Sequence, residues 1–159
     1  MNIIFNSIGI IHSPFKTVEK MPIQTSAGKN IKAEIKIYPE YENGLSDIEG
    51  FSHLYIIFHM NMSINYKLKV IPFLDTVERG IFATRSPARP NPIGLSLVEL
   101  ISVKKNILNI RGVDMLDGSP VLDIKPFVPE FETYDSIRIG WFEGKTEKAM
   151  NILSDGRFK

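Results

Sequence analysis

The sequence predicts a mainly β protein, a single-domain β-barrel with short helices and a C-terminal helix. Three observations favour this fold class. Apolar runs typical of strands recur along the chain, turn residues separate them at the spacing of a barrel or sandwich, and convincing helical composition is confined to residues 143–153. At 159 residues the chain has the length of one domain. We expect six to eight strands and little helix.

The first half of the chain supplies three predicted strands. Ile3–His12 is rich in β-branched and aromatic residues and ends at a Ser-Pro breaker. In Ile31–Ile37 apolar and charged residues alternate, which is typical of a strand with one solvated face. Tyr41–Glu49 is a polar stretch with room for one or two helical turns. Phe51–Met60 is the most apolar run and is expected to be a central strand.

The second half begins with a segment that has no clean period, Asn61–Arg79, which we expect to loop over the surface. A hairpin is predicted where Leu95–Val103 and Ile107–Val113 flank a short polar turn. The remaining predictions are short strands at Gly80–Thr84, Pro120–Phe127 and Ser136–Phe142 and a helix at Glu143–Leu153.

Composition excludes several classes of protein. With 43% hydrophobic and 23% charged residues the chain can form a core, and its net charge of +1 gives no global attraction for nucleic acid. The absence of cysteine excludes disulfide scaffolds, cysteine-based metal centres and thiol nucleophiles, and it fits a cytoplasmic protein. No run of about 18 apolar residues exists to span a membrane, and the N-terminus does not resemble a signal peptide.

The segment Thr84–Gly94 carries the most chemical information. Its three prolines fix φ and push the preceding residues toward extended geometry, so the loop is stiff before a ligand arrives. Arg85, Arg89 and Asn91 lie on this loop, and a guanidinium there could hold a carboxylate or phosphate. The alternative is a proline-rich connection with solvated arginines.

A second polar segment, Asp114–Pro120, follows a predicted strand directly. Its two aspartates could accept hydrogen bonds from a ligand's amine or hydroxyls. An ordinary Asp-Gly turn explains the same residues, and from chemistry alone that interpretation is the stronger one.

Metal, nucleotide-fold and serine-nucleophile motifs are not found. His53 and His59 lie six residues apart in one predicted strand, so about 20 Å would separate them, too far to share an ion. We therefore predict no metal site. No Gly-rich fingerprint follows the first strand, and neither a P-loop nor a Gly-x-Ser-x-Gly motif occurs.

With these segments identified, the sequence resembles the TsaA-like family, whose characterised members are TrmO-type tRNA (adenine-N6)-methyltransferases. The resemblance runs through most of the chain in ordered blocks, and Arg85–Gly94 is its most specific part. The blocks are Ile8–Phe15, Met21–Gln24, Gly50–Leu54 with Phe58–His59, Gly80–Ser96, Asp114–Pro120 and Asp123–Phe127.

The resemblance implies an S-adenosylmethionine-dependent enzyme built on a β-barrel, usually a homodimer. Its implied reaction is methylation of the N6 nitrogen of threonylcarbamoyladenosine at position 37 of tRNA. Two alternatives remain open: a cofactor-binding regulatory or RNA-binding module without transferase activity, and a methyltransferase that acts on another substrate.

Site residues follow from the same resemblance, block by block. It implies a cofactor site that includes the two aspartates of the Asp-Gly segment. Asp117, Asp114 and His59 are the candidates for a catalytic base, and Arg89 and Asn91 are expected to orient the modified base or its threonyl carboxylate. The implied cofactor contacts are Pro22, Ile23, Gln24, His59, Met60, Arg85, Leu95, Asp114, Met115, Leu116 and Asp117.

We expect residues 1–142 to form the barrel domain and residues 143–159 a short helical tail. Some bacterial members of the family carry an additional C-terminal domain that helps with tRNA, whereas this sequence ends soon after the barrel motifs. The tail contains Arg157 and Lys159, and the mode of tRNA binding stays open.

Overall fold

The computed structural model describes residues 1–19, 21–24, 27–132, 134–149, 152–155 and 158, and eight strands lie within these ranges. Helical elements in the same ranges are short. The 3₁₀ turns span Pro39–Leu45, Ile48–Gly50, Ile81–Ala83 and Gly140–Phe142. The remaining elements are β1 (Gly9–His12), β2 (Lys32–Ile37), β3 (His53–His59), β4 (Lys69–Val70), β5 (Arg79–Gly80), β6 (Ile93–Lys104), β7 (Ile107–Arg111), β8 (Pro120–Pro126), α1 (Pro129–Glu132) and α2 (Thr146–Ala149).

Six of these strands close a barrel in the order β1-β2-β7-β6-β3-β8, and every neighbouring pair is antiparallel. Strands β4 and β5 pair with each other outside it. The predicted β-barrel is therefore confirmed. The predicted hairpin is β6–β7, and its turn residue Lys105 has a φ of 54°, as two-residue hairpin turns require.

Alternating apolar residues fill the barrel. In β2 the residues Ala33, Ile35 and Ile37 are buried while the charged residues between them are exposed, as the sequence pattern predicts. The central strand β3 repeats the pattern and is bonded on both sides, to β6 and to β8. The core adds one or more residues from each other strand, among them Ile11, Val98, Leu108, Ile110 and Val121.

The predicted first strand is wrong at its N-terminal half. Ile3, Ile4 and Phe5 are exposed, and the ladder begins where Gly9 lies opposite Ile37. The reason is the partner strand: β2 ends at Ile37, and the chain then turns into a 3₁₀ helix. On the β2 side, residues before position 8 therefore have no strand to pair with.

Two other predicted strands are corrected. Gly80–Thr84 is a strand only at Gly80, because both the backbone N–H and the hydroxyl of Thr84 donate to the carbonyl of Ile81 and close a turn. Ser136–Phe142 forms no strand, since the pairing of β1 with β8 closes the barrel and leaves no edge to extend.

The predicted C-terminal helix is also much shorter than Glu143–Leu153. Among the described residues of this range, only Thr146–Ala149 is helical, and Gly144 before it has a φ of 71°, outside helical geometry. Leu153 is extended and forms an isolated bridge with Pro22. Met150, expected on the apolar side of that helix, lies outside the described residues, as do Arg157 and Lys159. Within the described ranges no helix has the length and apolarity needed to cross a membrane.

Candidate functional site

The polar motifs identified from the sequence gather at one end of the barrel. Strands β1, β3 and β7 end there and β2, β6 and β8 begin there, because neighbouring strands are antiparallel. Three loops emerge from this end, which we call the motif end: 13–31, 60–92 and 112–119. Each predicted cofactor residue lies on one of these loops or, as His59 and Leu95 do, within three residues of a strand terminus at this end.

The loop Thr84–Gly94 is held by its own hydrogen bonds as well as by its prolines. Nη1 of Arg89 donates to the carbonyls of Thr84, Ile81 and Ser86 at 2.8, 3.3 and 3.4 Å. The Ser86 N–H donates to the Thr84 hydroxyl, and both side chains are buried. Arg89 thus fixes the shape of the loop from inside, a role that sequence reasoning missed.

Arg85 points away from that internal network. Its side chain is exposed, and Nη1 donates to Oε1 of Gln24 over 3.1 Å. The structure therefore brings together two predicted cofactor residues that belong to different loops. Among the described residues no other hydrogen bond of this guanidinium is seen, and its remaining N–H groups can bind a carboxylate or phosphate.

Of the predicted cofactor residues in segment 112–119, Met115 is buried and the two aspartates make polar contacts. Met115 has no exposed surface and packs in the barrel core, so in this arrangement it supports the segment without offering an atom to a ligand. Asp114 is partly buried, and its Oδ1 accepts a 2.5 Å hydrogen bond from the hydroxyl of Ser96 on β6. Leu116 is partly buried as well.

Asp117 faces the end of β1. Its Oδ1 accepts from the Ser13 N–H at 3.0 Å, and its Oδ2 lies 2.7 Å from Nζ of Lys16. The hydrogen bond from Lys16, with smaller contributions from Ser13 and the nearby His12, holds the pKa of the Asp117 carboxyl below its usual range. The two aspartates of one motif thus have different surroundings.

The end of β3 supplies the next predicted contacts. His59 pairs with Ile93, and the Met60 N–H donates to the Pro92 carbonyl at 2.8 Å. Leu95 follows on β6 and is 59% exposed, which leaves an apolar surface at the motif end. Gly94 between them lies against the Phe58 ring, and a Cβ at position 94 would overlap that ring.

The remaining predicted residues lie on the loops of the motif end. Pro22 bridges to Leu153, and Ile23 is partly buried next to it. Asn91 is exposed, and its backbone carbonyl accepts from the Ile93 N–H at 2.8 Å.

The motifs do not reveal one residue that is electrostatically linked to Arg85. Burial raises the pKa of the Tyr55 phenol, and the charge and hydrogen bond of Glu132 raise it further, while the positive charge of Arg85 opposes them. No sequence signal marks Tyr55, because it reads as one more apolar residue of the central strand.

The side chains of the motif end match the functional groups of a small organic ligand. Across the described residues, no group of three or more histidine, aspartate or glutamate side chains could hold an ion. The motif end instead offers a guanidinium for a carboxylate, carboxylates for an amine or hydroxyls, and the exposed Leu95 for an apolar ring. A ligand with all three kinds of group is the one that these residues match.

Comparison with known proteins gives concordant results. A family model described as the tRNA-methyltransferase O N-terminal domain matches residues 10–133. A Pyrococcus abyssi protein named a probable S-adenosyl-L-methionine-binding protein is 51% identical over 98% of this chain and 85% of its own length. The Escherichia coli tRNA (adenine(37)-N6)-methyltransferase is 39% identical over 81% of this chain and 59% of its own.

A solved structure agrees with these matches. The crystal structure of TrmO from Pseudomonas aeruginosa superposes with a TM-score of 0.74 and 31% identity, covering 89% of this chain and 63% of that one. The chain thus spans less than two thirds of both bacterial proteins.

Proposed function

This chain belongs to the tRNA-methyltransferase O family, and we propose that it catalyses S-adenosylmethionine-dependent methylation of the N6 nitrogen of threonylcarbamoyladenosine at position 37 of tRNA. The observation that carries the proposal is the hydrogen bond from Arg85 to Gln24. It joins two implied cofactor segments at the motif end, where the third segment, with Asp114, also lies.

The residues of the motif end suit the functional groups of S-adenosylmethionine. The Arg85 guanidinium is the natural partner for the carboxylate of its methionine part, and Gln24 orients that guanidinium. Asp114 and Asp117 can accept from its ammonium or ribose hydroxyls, and Leu95 and Leu116 offer apolar contact to its base. When bound, this cofactor supplies an electrophilic methyl group on a sulfonium.

The protein's own contribution is alignment and removal of a proton. Holding two reactants in line lowers a barrier by roughly 7–11 kcal/mol, and this needs loops that are fixed beforehand. The bonds from Arg89 to three carbonyls of its own loop meet that need. The attacked nitrogen belongs to a urea-like group, so a carboxylate that accepts its proton assists further.

Asp114 ranks above Asp117 as that proton acceptor, because Asp117 is paired with the cationic Lys16 and has a lowered pKa. Asp114 accepts a hydrogen bond from the hydroxyl of Ser96. A carboxylate stabilised in its charged form holds a proton weakly and is a poor base at neutral pH. His59 at the end of β3 stays a second candidate.

Substrate contacts, domain boundaries and assembly are proposed as well. We infer that Arg89 and Asn91 lie near the modified base or its threonyl carboxylate, and that residues 1–142 are the methyltransferase domain with 143–159 as a tail. We also infer a homodimer in the cytoplasm. Support for a dimer comes from the exposed apolar side chains of Met62, Tyr66, Phe82 and Leu95 around the motif end.

The test has two stages. Calorimetric titration with S-adenosylmethionine comes first, and saturable binding supports the cofactor site. The second stage follows transfer of labelled methyl groups onto bulk tRNA, with nucleoside mass spectrometry of the product. Methylated threonylcarbamoyladenosine supports the proposal. Binding without transfer would indicate a regulatory or RNA-binding module, and a methyl group on another nucleoside would indicate another substrate.

A further inference from the structure

The C-terminal segment makes a specific contact with the loop that carries Arg85. Nε1 of Trp141 donates a 2.7 Å hydrogen bond to the carbonyl of Ala83, two residues before Arg85. The donor lies 58 residues away in sequence and belongs to the 3₁₀ turn Gly140–Phe142. The position of Trp141 therefore bears directly on where the loop begins.

Trp141 is itself held by two cations. Arg79 and Lys145 lie over its ring, at 5.6 and 5.4 Å from the centroid. Both also bond Oδ2 of Asp75, at 2.8 and 3.0 Å, and the Asp75 side chain is only 7% exposed. These hydrogen bonds, that of Arg79 above all, keep the pKa of Asp75 far below its usual range. The carboxylate thus fixes the two cations that lie over the indole ring.

The same segment reaches the loop that carries Gln24. Leu153 forms a bridge with Pro22, and the Ser154 N–H donates to the Met21 carbonyl at 2.8 Å. Residues 140–149 and 152–154 therefore touch both loops whose side chains meet in the Arg85–Gln24 hydrogen bond. We call this segment the C-terminal strap.

We propose that the C-terminal strap sets the geometry of the cofactor site, with Trp141 and Asp75 as positioning residues that hold Arg85 against Gln24. The inference rests on the proposed function only in that Arg85 and Gln24 bind the cofactor. Neither Trp141 nor Asp75 is among the residues assigned to the ligand or to the chemistry. Their effect passes through the Ala83 carbonyl to the following loop.

A positioning role has a distinct signature. Loosening the strap lets the two loops separate in the free protein, so binding must restore their arrangement and the affinity for S-adenosylmethionine falls. Cofactor affinity is the direct readout, because the strap contacts the loop of Arg85 through Ala83 and the loop of Gln24 through Pro22 and Met21. The barrel core is not involved, so global stability changes little.

The decisive variants are Trp141→Phe and Asp75→Asn. Trp141→Phe keeps an aromatic ring under the two cations but removes the N–H donor to Ala83, and we expect the calorimetric Kd for S-adenosylmethionine to rise by about 3- to 10-fold. Asp75→Asn should raise it in the same direction. The matched control is Glu99→Gln, which removes a carboxylate–arginine pair with Arg111 on the barrel wall and should leave the Kd unchanged.

Hydrogen exchange on the unaltered protein tests the same coupling without a variant. If strap and site are coupled, cofactor binding must stabilise the strap in return, and exchange of the amides of residues 140–145 should slow when S-adenosylmethionine is added. Unchanged exchange there overturns the inference. Wild-type binding with an unaltered Kd in both variants also overturns it and leaves the proposed function standing. Failure of the wild type to bind overturns the proposed function and this inference together.

Discussion

Nη1 of Arg85 donates to Oε1 of Gln24 over 3.1 Å, although the two residues are 61 positions apart in the chain. The bond connects a proline-rich loop with a loop that precedes β2, and both loops leave the barrel at its motif end. Gln24 thereby orients the guanidinium while most of its donors stay directed outward. This orientation is the basis of the first prediction.

Arg85→Ala is expected to raise the Kd for S-adenosylmethionine by about 10- to 100-fold, because it removes a charge-assisted contact to the ligand carboxylate. Arg85→Lys keeps the charge but loses the planar fork and should fall between wild type and Arg85→Ala. Calorimetric titration measures both. Arg111→Ala, on the barrel wall, is the control. An Arg85→Ala protein that binds with wild-type affinity would remove Arg85 from the site.

The change of the unfolding free energy at acid pH depends on Asp117. Because Lys16 lowers its pKa in the folded state, Asp117 stabilises the fold above its ordinary value of 3.8, and this contribution is lost as the pH falls through the lowered value. Lys16→Met should therefore cost at most about 1 kcal/mol of unfolding free energy at pH 7. The difference from wild type should shrink below pH 3.8.

Urea denaturation at pH 7 and pH 3 measures this effect. Lys125→Met is the matched control, since it removes another lysine–aspartate contact in which the carboxylate is more exposed. An equal loss at both pH values would show that Lys16 acts through packing and not through the charge of Asp117.

Much of the barrel could be predicted because its strands carry local patterns. Ala33, Ile35 and Ile37 alternate with charged residues, and one face of that alternation is the core. The errors arise where strand pairing, and not composition, decides the structure. Ile3–Phe5 has strand composition, but β2 ends before it, and Ser136–Phe142 meets a barrel that is already closed. Availability of a partner strand is a property of the whole fold.

The candidate site also combines features that the sequence could predict with features that it could not. The resemblance pointed to Arg85 and Gln24, and the structure places them in contact. It could not show that Arg89 bonds three carbonyls of its own loop, that Met115 is wholly buried, or that Trp141 reaches Ala83. These relations depend on side-chain direction and on long-range contacts, which neither spacing nor residue type encodes.

Gly94 is required by the close approach of β6 to an aromatic ring. A Cβ there would overlap the Phe58 ring, and Phe58 is only 6% exposed within the barrel. Gly94→Ala should therefore destabilise the protein by about 1–3 kcal/mol. In the double variant Gly94→Ala/Phe58→Leu the smaller side chain makes room, so the combined loss should be less than the sum of the two single losses. Denaturant unfolding of all four proteins gives the coupling, and strict additivity would contradict the overlap.

The two aspartates of the motif should differ in their effect on rate. At saturating cofactor and tRNA, Asp114→Asn is expected to slow single-turnover methyl transfer by about 10²- to 10⁴-fold, the range for loss of a placed base. Asp117→Asn should slow it far less, because Lys16 and Ser13 already stabilise that carboxylate in its charged form. His59→Ala tests the remaining candidate. If Asp117→Asn is as slow as Asp114→Asn, the assignment of Asp114 as the base is wrong.

Substitution of Arg89 distinguishes a role in substrate binding from a structural role. If it only orients the modified base, Arg89→Ala lowers tRNA turnover and leaves cofactor affinity nearly intact. Its Nη1 bonds to the carbonyls of Ile81, Thr84 and Ser86, however, so its loss also releases the loop that carries Arg85.

We therefore expect Arg89→Ala to raise the Kd for S-adenosylmethionine and to lower the melting temperature, in addition to reducing turnover. Asn91→Ala is the comparison, because Asn91 is exposed and its backbone carbonyl, which the substitution keeps, accepts the hydrogen bond from Ile93. That variant should reduce turnover without changing the Kd. A wild-type Kd in Arg89→Ala, together with slow turnover, would instead show that the loop keeps its shape without Arg89 and that the guanidinium serves the tRNA substrate.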